Sequence, residues 1–310
     1  MKIEPRRNRT FSNAPPPSAI PYRVFPEAKN ASEAAALEIT TLIRSRAAEG
    51  RTCVLGLATG STVVNVYSAM VRMHREEGLS FANVAVFVLD EFQPMQPECL
   101  QSHVRFINEH LFDHIDLPKD RIFIPDGTTP QEQLGEHCLR FENQIAEMGG
   151  IDMLILGIGR TGHIGFNEPG SGTDSRTRPI TLDAMTRIDA ASNFFGVENV
   201  PRRAITMGVG TILDARRIIL LAFGEGKSSI VARSVEGKVA PAVPATFLQQ
   251  HEDVEFFLDR SAAAHLTPIK SPWMVGDVCW DDVMVRRAVI ALSQAVDKPV
   301  LRQYDRLRKN

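Results

Sequence analysis

In Met153-Leu154-Ile155-Leu156-Gly157-Ile158-Gly159-Arg160-Thr161-Gly162-His163-Ile164-Gly165-Phe166-Asn167-Glu168-Pro169 a short apolar run passes into a glycine-rich loop that carries a histidine and an acid. The first four residues have the length and apolar character of a strand buried on both faces, as in a parallel sheet. A parallel strand that ends in glycines delivers the next residues to the carboxyl edge of the sheet, where open α/β sheets bind their ligands. Here that edge receives an imidazole, His163, and a carboxylate, Glu168. The pair has the makings of an acid/base unit tuned by a neighbouring charge.

The flanking sequence repeats the pattern of apolar run, turn and helix. Ser32 to about Glu49 reads as a helix capped by Ser32, with Ala35, Ile39, Leu42, Ile43 and Arg46 on one face and Gly50 as its stop. Cys53 to Ala58 reads as a buried strand, Thr59-Gly60-Ser61-Thr62 as a turn, and Val63 to Glu77 as a helix ended by Gly78. Val84 to Leu89 reads as a strand leading into Asp90. Ser102 to His114 and Leu134 to Met148 read as helices, the second with Leu139, Ile145 and Met148 among its apolar positions. Ala204–Met207, Ile218–Ala222 and Val254–Leu258 read as further strands, with a helix from Lys227 to Val235. Strands alternating with helices imply an α/β fold: an open, mostly parallel sheet with helices on both faces, a Rossmann-like three-layer sandwich. Right-handed crossovers then bring the strand ends to one edge.

The ends of the chain differ from this middle. Residues 1–27 are rich in proline and arginine and read as an irregular arm. Residues 28–268 read as a single α/β domain, and 269–310 as an extension with one helix, Asp282 to Val296. The chain has 35 basic and 37 acidic residues, a net charge of -2 that gives no reason to expect nucleic acid as a partner. No apolar run reaches membrane-spanning length, and no apolar segment follows the basic N-terminus. Cys53, Cys99, Cys138 and Cys279 lack metal-ligand spacing, so reduced thiols in a cytoplasmic protein are expected.

Gly162-His163-Ile164-Gly165-Phe166-Asn167-Glu168-Pro169 resembles the active-site loop of the glucosamine-6-phosphate deaminase family, within the superfamily of sugar-phosphate isomerases and 6-phosphogluconolactonases. Three more stretches resemble the same family: Leu55 to Thr62, Leu89-Asp90-Glu91-Phe92, and Thr206 to Ala215. They occur in the family's order and span roughly Ala31 to Leu266. The resemblance implies isomerisation with deamination of a phosphorylated amino sugar, by a homo-oligomer, without metal or organic cofactor. It implies that the turn Thr59, Gly60, Ser61 and Thr62 binds the sugar phosphate. On spacing alone that turn is an ordinary strand-to-helix connection capped by Ser61 or Thr62, since it lacks the phosphate-loop lysine. The resemblance further makes Asp90 the proton-transferring base, where the bland reading is a helix cap. His163 becomes the ring-opening group with Glu168 behind it, and Lys227 a phosphate ligand.

The sequence departs from the family pattern in three places. The family loop reads Gly-Asn-Asp-Gly-His, and its aspartate is Thr161 here, which can orient an imidazole but brings no charge. A family arginine that contacts the phosphate is Asn193 here, which leaves Arg202 or Arg203 as substitutes. Ser171, Arg178 and Thr181 resemble parts of an allosteric phosphosugar site, but the family lysine between them is Ile180. Alternative readings are a 6-phosphogluconolactonase-like hydrolase, an isomerase of another amino- or keto-sugar phosphate, and a non-catalytic phosphosugar sensor. The Asn-Glu-Pro run argues against the lactonase. The lack of a DNA-binding helix pair argues against the sensor.

Overall fold

Apolar strands between amphipathic helices build a seven-stranded parallel sheet in the computed structural model, which describes residues 19–297 and Pro299. Ten strands occur among these residues: β1 (Tyr22–Phe25), β2 (Cys53–Leu57), β3 (Val84–Val88), β4 (Asp90–Gln93), β5 (Ile122–Phe123), β6 (Met153–Leu156), β7 (Arg178–Thr181), β8 (Arg203–Thr206), β9 (Ile218–Ala222) and β10 (Val254–Asp259). The helices are α1 (Ala28–Ala48), α2 (Val64–Glu77), α3 (His103–His110), α4 (Leu134–Glu147), α5 (Ala184–Ala190), α6 (Val209–Leu213), α7 (Ser228–Glu236), α8 (Thr267–Lys270) and α9 (Asp282–Ala295).

The main sheet has the order β1-β10-β9-β6-β2-β3-β5, with every neighbouring pair parallel. All residues of β2, β3, β6 and β9 are buried, as the unbroken apolar runs require. The chain moves from β2 outward to β3 and β5, then returns to β6 on the other side of β2 and continues to β9 and β10. The order therefore reverses between β2 and β6. A crevice opens outside the carboxyl ends of the strands at such a reversal. Right-handed crossovers place α1, α2 and α3 on one face of the sheet and α4 and α7 on the other. Phe87 of β3 stacks on Phe123 at 4.4 Å between ring centroids and meets Phe141 of α4 edge-on at 5.5 Å.

Several local expectations are corrected. Ala204–Met207 was read as one more strand of the parallel sheet. The strand is instead Arg203–Thr206, and it pairs antiparallel with both β4 and β7 in a second, three-stranded sheet. A four-residue apolar run does not encode which partner it finds. Residues 22–25, expected to be irregular, form the edge strand β1, where missing donors at nearby prolines cost nothing. Helix α1 begins at Ala28 rather than at Ser32, whose hydroxyl donates back to the Ala28 carbonyl at 2.9 Å. In α4 the inward face is Leu134, Cys138, Phe141 and Ile145, while Leu139 is 62% exposed. Helix α2 stops as expected at Gly78, with φ +67°. Asp281 caps α9 by accepting from the Met284 N–H at 2.8 Å, but no residue of α9 is buried. Among the described residues no helix is long and apolar enough to cross a membrane.

Candidate active site

Three loops leave the carboxyl edge of the main sheet beside the reversal and line one cleft of about 650 Å³. The first is the turn after β2. Gly60 has φ +104°, a backbone state that favours glycine, and Ser61–Val63 form a single tight turn before α2. Neither Ser61 nor Thr62 caps the helix with its side chain. The first N–H groups of α2 therefore remain available beside the cleft, which is how a helix start binds an anion.

The second contribution comes from the end of β3, where Asp90 opens β4. Successive side chains of a strand point to opposite sides, so Asp90 and Glu91 separate. Glu91 is 1% exposed and accepts from the Ser102 hydroxyl at 2.7 Å, the Val104 N–H at 3.2 Å and its neighbour Phe92 N–H at 2.8 Å. It thereby fixes the start of α3, which Ser102 caps. Asp90 caps nothing. It lines the cleft, and its Oδ1 lies 2.8 Å from Nδ1 of His103, the first residue of α3.

His103 is a cleft residue that the sequence does not single out. Its ring stacks on Phe166 at 5.8 Å and meets Phe92 edge-on at 5.1 Å, and it also lines the cleft. Burial alone would push the imidazole down, but the bonds and charge of Asp90, with Glu91 adding, raise it to about 9. His103 is thus a cation at neutral pH, held against Asp90. The only sequence signal was its place one residue after a capping serine, which by itself indicates nothing about Asp90.

The third loop follows β6. Gly162 N–H donates to the Gly159 carbonyl at 3.0 Å, and Gly159 N–H donates to the His163 carbonyl at 3.0 Å. A Cβ on Gly159 would lie 2.0 Å from Cε1 of His163, so the ring rests directly on that glycine. Gly165, with φ +55°, lets the loop pack on β8 beside Asp90, since a Cβ there would lie 2.9 Å from Thr206 Oγ1. Asn167 is fully buried and ties the loop down, donating to the Ile164 and Met207 carbonyls, both at 2.8 Å.

Three oxygens surround Nδ1 of His163: Thr161 Oγ1 at 2.9 Å, Thr186 Oγ1 at 3.4 Å and Glu168 Oε2 at 3.4 Å. Glu168 Oε2 is buried and has no hydrogen-bond partner among the described residues, while Oε1 accepts from the Asp183 N–H at 3.2 Å. Burial raises Glu168, but the contact and charge of His163, with Thr186 and the Asp183 N–H, outweigh it and hold the carboxyl below its ordinary range. With Nδ1 engaged, Nε2 of His163 is the nitrogen left for the cleft.

Lys227 closes the same cleft, and its ammonium donates to the Ile158 carbonyl at 2.7 Å. Burial holds it below the usual lysine range. The structure therefore brings together Thr59, Gly60, Ser61, Thr62, Asp90, His163 and Lys227, with Thr161 and Glu168 behind the imidazole. Asn193 also lines the cleft, but Arg202 and Arg203 do not, and Arg203 is bound to Gln131 at 2.6 Å. Arg178 donates to Asn167 Oδ1 at 2.9 Å and to Ser171 Oγ at 3.0 Å, so it supports the loop. Thr181 is exposed and makes no side-chain hydrogen bond, so it does not join Ser171 and Arg178.

Residues 26–256 match the family model of glucosamine-6-phosphate isomerases and 6-phosphogluconolactonases. The chain belongs to this family. It is 46% identical over 210 residues to a glucosamine-6-phosphate deaminase of Bacillus velezensis, covering 68% of this chain and 86% of that one. It is 42% identical over 283 residues to a glucosamine-6-phosphate deaminase-like protein of Bacteroides thetaiotaomicron, covering 91% of this chain but only 43% of that longer protein. A solved structure described as a monomeric glucosamine-6-phosphate deaminase superposes with a TM-score of 0.76 at 37% identity, covering 79% of this chain and all of that one. A 6-phosphogluconolactonase from Trypanosoma brucei superposes with a TM-score of 0.66 at 21% identity, covering 81% of this chain and all of that one, a likeness of fold alone.

Proposed function

We propose that the chain converts glucosamine 6-phosphate and water to fructose 6-phosphate and ammonia. One observation carries the reading: Asp90 and His163 line a single cleft together with Lys227 and the uncapped start of α2. The phosphate sits against Lys227 and the Thr59–Thr62 turn. His163 uses Nε2 to take the C1 hydroxyl proton and deliver one to the ring oxygen, which opens the pyranose. Thr161, Thr186 and Glu168 orient the ring through Nδ1, and Glu168 stabilises its cation. Asp90 then removes the proton from C2 and returns it to C1. The C1 aldehyde becomes an alcohol and C2 a C=N imine, as the C2 ammonium gives up a proton and O1 gains one; water then adds at C2 and ammonia leaves, which forms the C2 ketone. The substrate's own carbonyl acts as the electron sink, so the steps are written without a cofactor.

These groups all come from one chain, and a similar solved deaminase is described as monomeric. The chemistry therefore does not require the homo-oligomer expected from the sequence. The reading keeps one catalytic domain ending at 268 and an extension over 269–310, but assigns β1 to the domain rather than to the arm. It also retains a cytoplasmic setting, in keeping with the four unpaired cysteines. Ammonia release from a panel of hexosamine phosphates tests it. Release from glucosamine 6-phosphate, matched by fructose 6-phosphate, is expected. Hydrolysis of 6-phosphogluconolactone with no ammonia from any amino sugar contradicts it.

A further inference from the structure

A phosphate monoester brings close to two negative charges at neutral pH. The phosphate end of the cleft holds one cation, Lys227, and one of its N–H groups is already spent on Ile158. The same wall carries a carboxylate, Asp189 of α5. An unpaired carboxylate there would repel the phosphate.

Asp189 is not unpaired. Arg160, two residues beyond Ile158, donates from Nε to Asp189 Oδ2 at 3.0 Å and from Nη2 to Asp189 Oδ1. Nη2 also lies 3.6 Å from Met185 Sδ. A guanidinium has five donors. These contacts use one edge of the fork, and among the described residues Nη1 has no hydrogen-bond partner. The Arg160 side chain is 52% exposed, at the rim rather than in the core. The charges of Asp189 and Arg160 both act on the Lys227 ammonium. Asp189 and Lys227 line the cleft and Arg160 does not; it stands behind the wall through its pair with Asp189, the outermost of three groups of alternating charge.

We infer that Arg160, which pairs with Asp189 through one edge, is a second phosphate-binding cation of this site. It neutralises Asp189 through one edge and offers its remaining donors to the phosphate, a geometry that suits a planar fork. The residue makes the site selective for phosphorylated sugars. This inference rests on the reading that Lys227 and the Thr59–Thr62 turn receive a sugar phosphate.

The test measures binding of glucitol 6-phosphate, an open-chain phosphosugar that cannot isomerise, with unphosphorylated glucitol as control. Arg160→Ala is expected to weaken glucitol 6-phosphate about tenfold or more, the scale of a hydrogen bond to a charged group. Arg160→Lys should recover part of that loss. Asp189→Asn should act in the opposite direction, binding the phosphosugar as well as or better than the parent, because it removes a negative charge and frees a guanidinium. Equal weakening by Asp189→Asn and Arg160→Ala overturns the inference, since the pair is then only a clamp between α5 and the loop. So does normal binding in Arg160→Ala while Lys227→Ala still weakens it. If the parent prefers glucitol 6-phosphate no more than glucitol, or Lys227→Ala has no effect, the phosphate-site reading itself fails and the inference falls with it.

Discussion

Thr161 stands where the family loop carries an aspartate, yet its hydroxyl reaches Nδ1 of His163 at 2.9 Å. A hydroxyl fixes the ring without adding charge, and the nearby charge comes from Glu168 at 3.4 Å. Thr161→Asp would place a second carboxylate beside the imidazole and favour its cation. The expected outcome is turnover that is kept or improved, with its pH dependence moved upward. His163→Gln should cripple the pyranose substrate and spare an analogue biased to the open chain. If Thr161→Asp destroys activity while Thr161→Ala does not, His163 is not the ring-opening group. A separate prediction concerns His103, a cation up to about pH 9 beside Asp90. Turnover that depends on this charge should fall as pH rises through about 9. In His103→Gln, which keeps a donor but no charge, that limb should vanish and neutral-pH turnover should drop. An unchanged profile would show that the pair is only structural. His103 and Arg160 were invisible as site residues in the sequence because their partners, Asp90 and Asp189, lie 13 and 29 residues away.

At the scale of elements, each apolar run that ends in a turn delivers its next residues to the sheet edge, which is why the positions of Asp90, His163 and the Thr59–Thr62 turn were legible, while the roles expected of Asp90 and the turn came from the family resemblance. The loop after β6 depends on glycine as much as on its acid and base. Gly159→Ala would put a Cβ 2.0 Å from His163 Cε1, so the ring must move. A displacement near 1 Å can cost on the order of a hundredfold in rate. Turnover should fall by that order while the circular dichroism and melting curve of the variant stay close to the parent; normal turnover would mean that the ring position seen here is not the working one. The second sheet was not legible. Strands β4, β7 and β8 are four residues each and pair across long stretches of chain. Local periodicity carries no information about such partners. The misread face of α4 has a similar cause: Leu139 is apolar, but Cys138 and Phe141 occupy the side that tertiary packing chose.

Over the whole molecule, the parallel order with its reversal between β2 and β6 fixes where the cleft must be; strand–helix alternation showed the parallel sheet and its ligand edge, but not the strand order. The His103–Asp90 pair also links stability to pH. The folded value of His103 lies above its ordinary value of 6.5, so the pair stabilises the fold fully below that pH. The contribution is lost as pH rises through about 9. The melting temperature of the parent should decline across that window more than that of His103→Gln; parallel declines would remove the pair from the stability of the fold. The central claim is that one chain isomerises and deaminates glucosamine 6-phosphate with Asp90 as the proton carrier. Its most direct test is the reaction in deuterium oxide, following ammonia, fructose 6-phosphate and deuterium exchange at C2 for the parent and for Asp90→Asn. The expected result is matched product release with exchange in the parent, and a loss on the order of 10²–10⁴-fold in the variant with phosphosugar binding retained. Absence of ammonia from the parent, or normal exchange in Asp90→Asn, would contradict it.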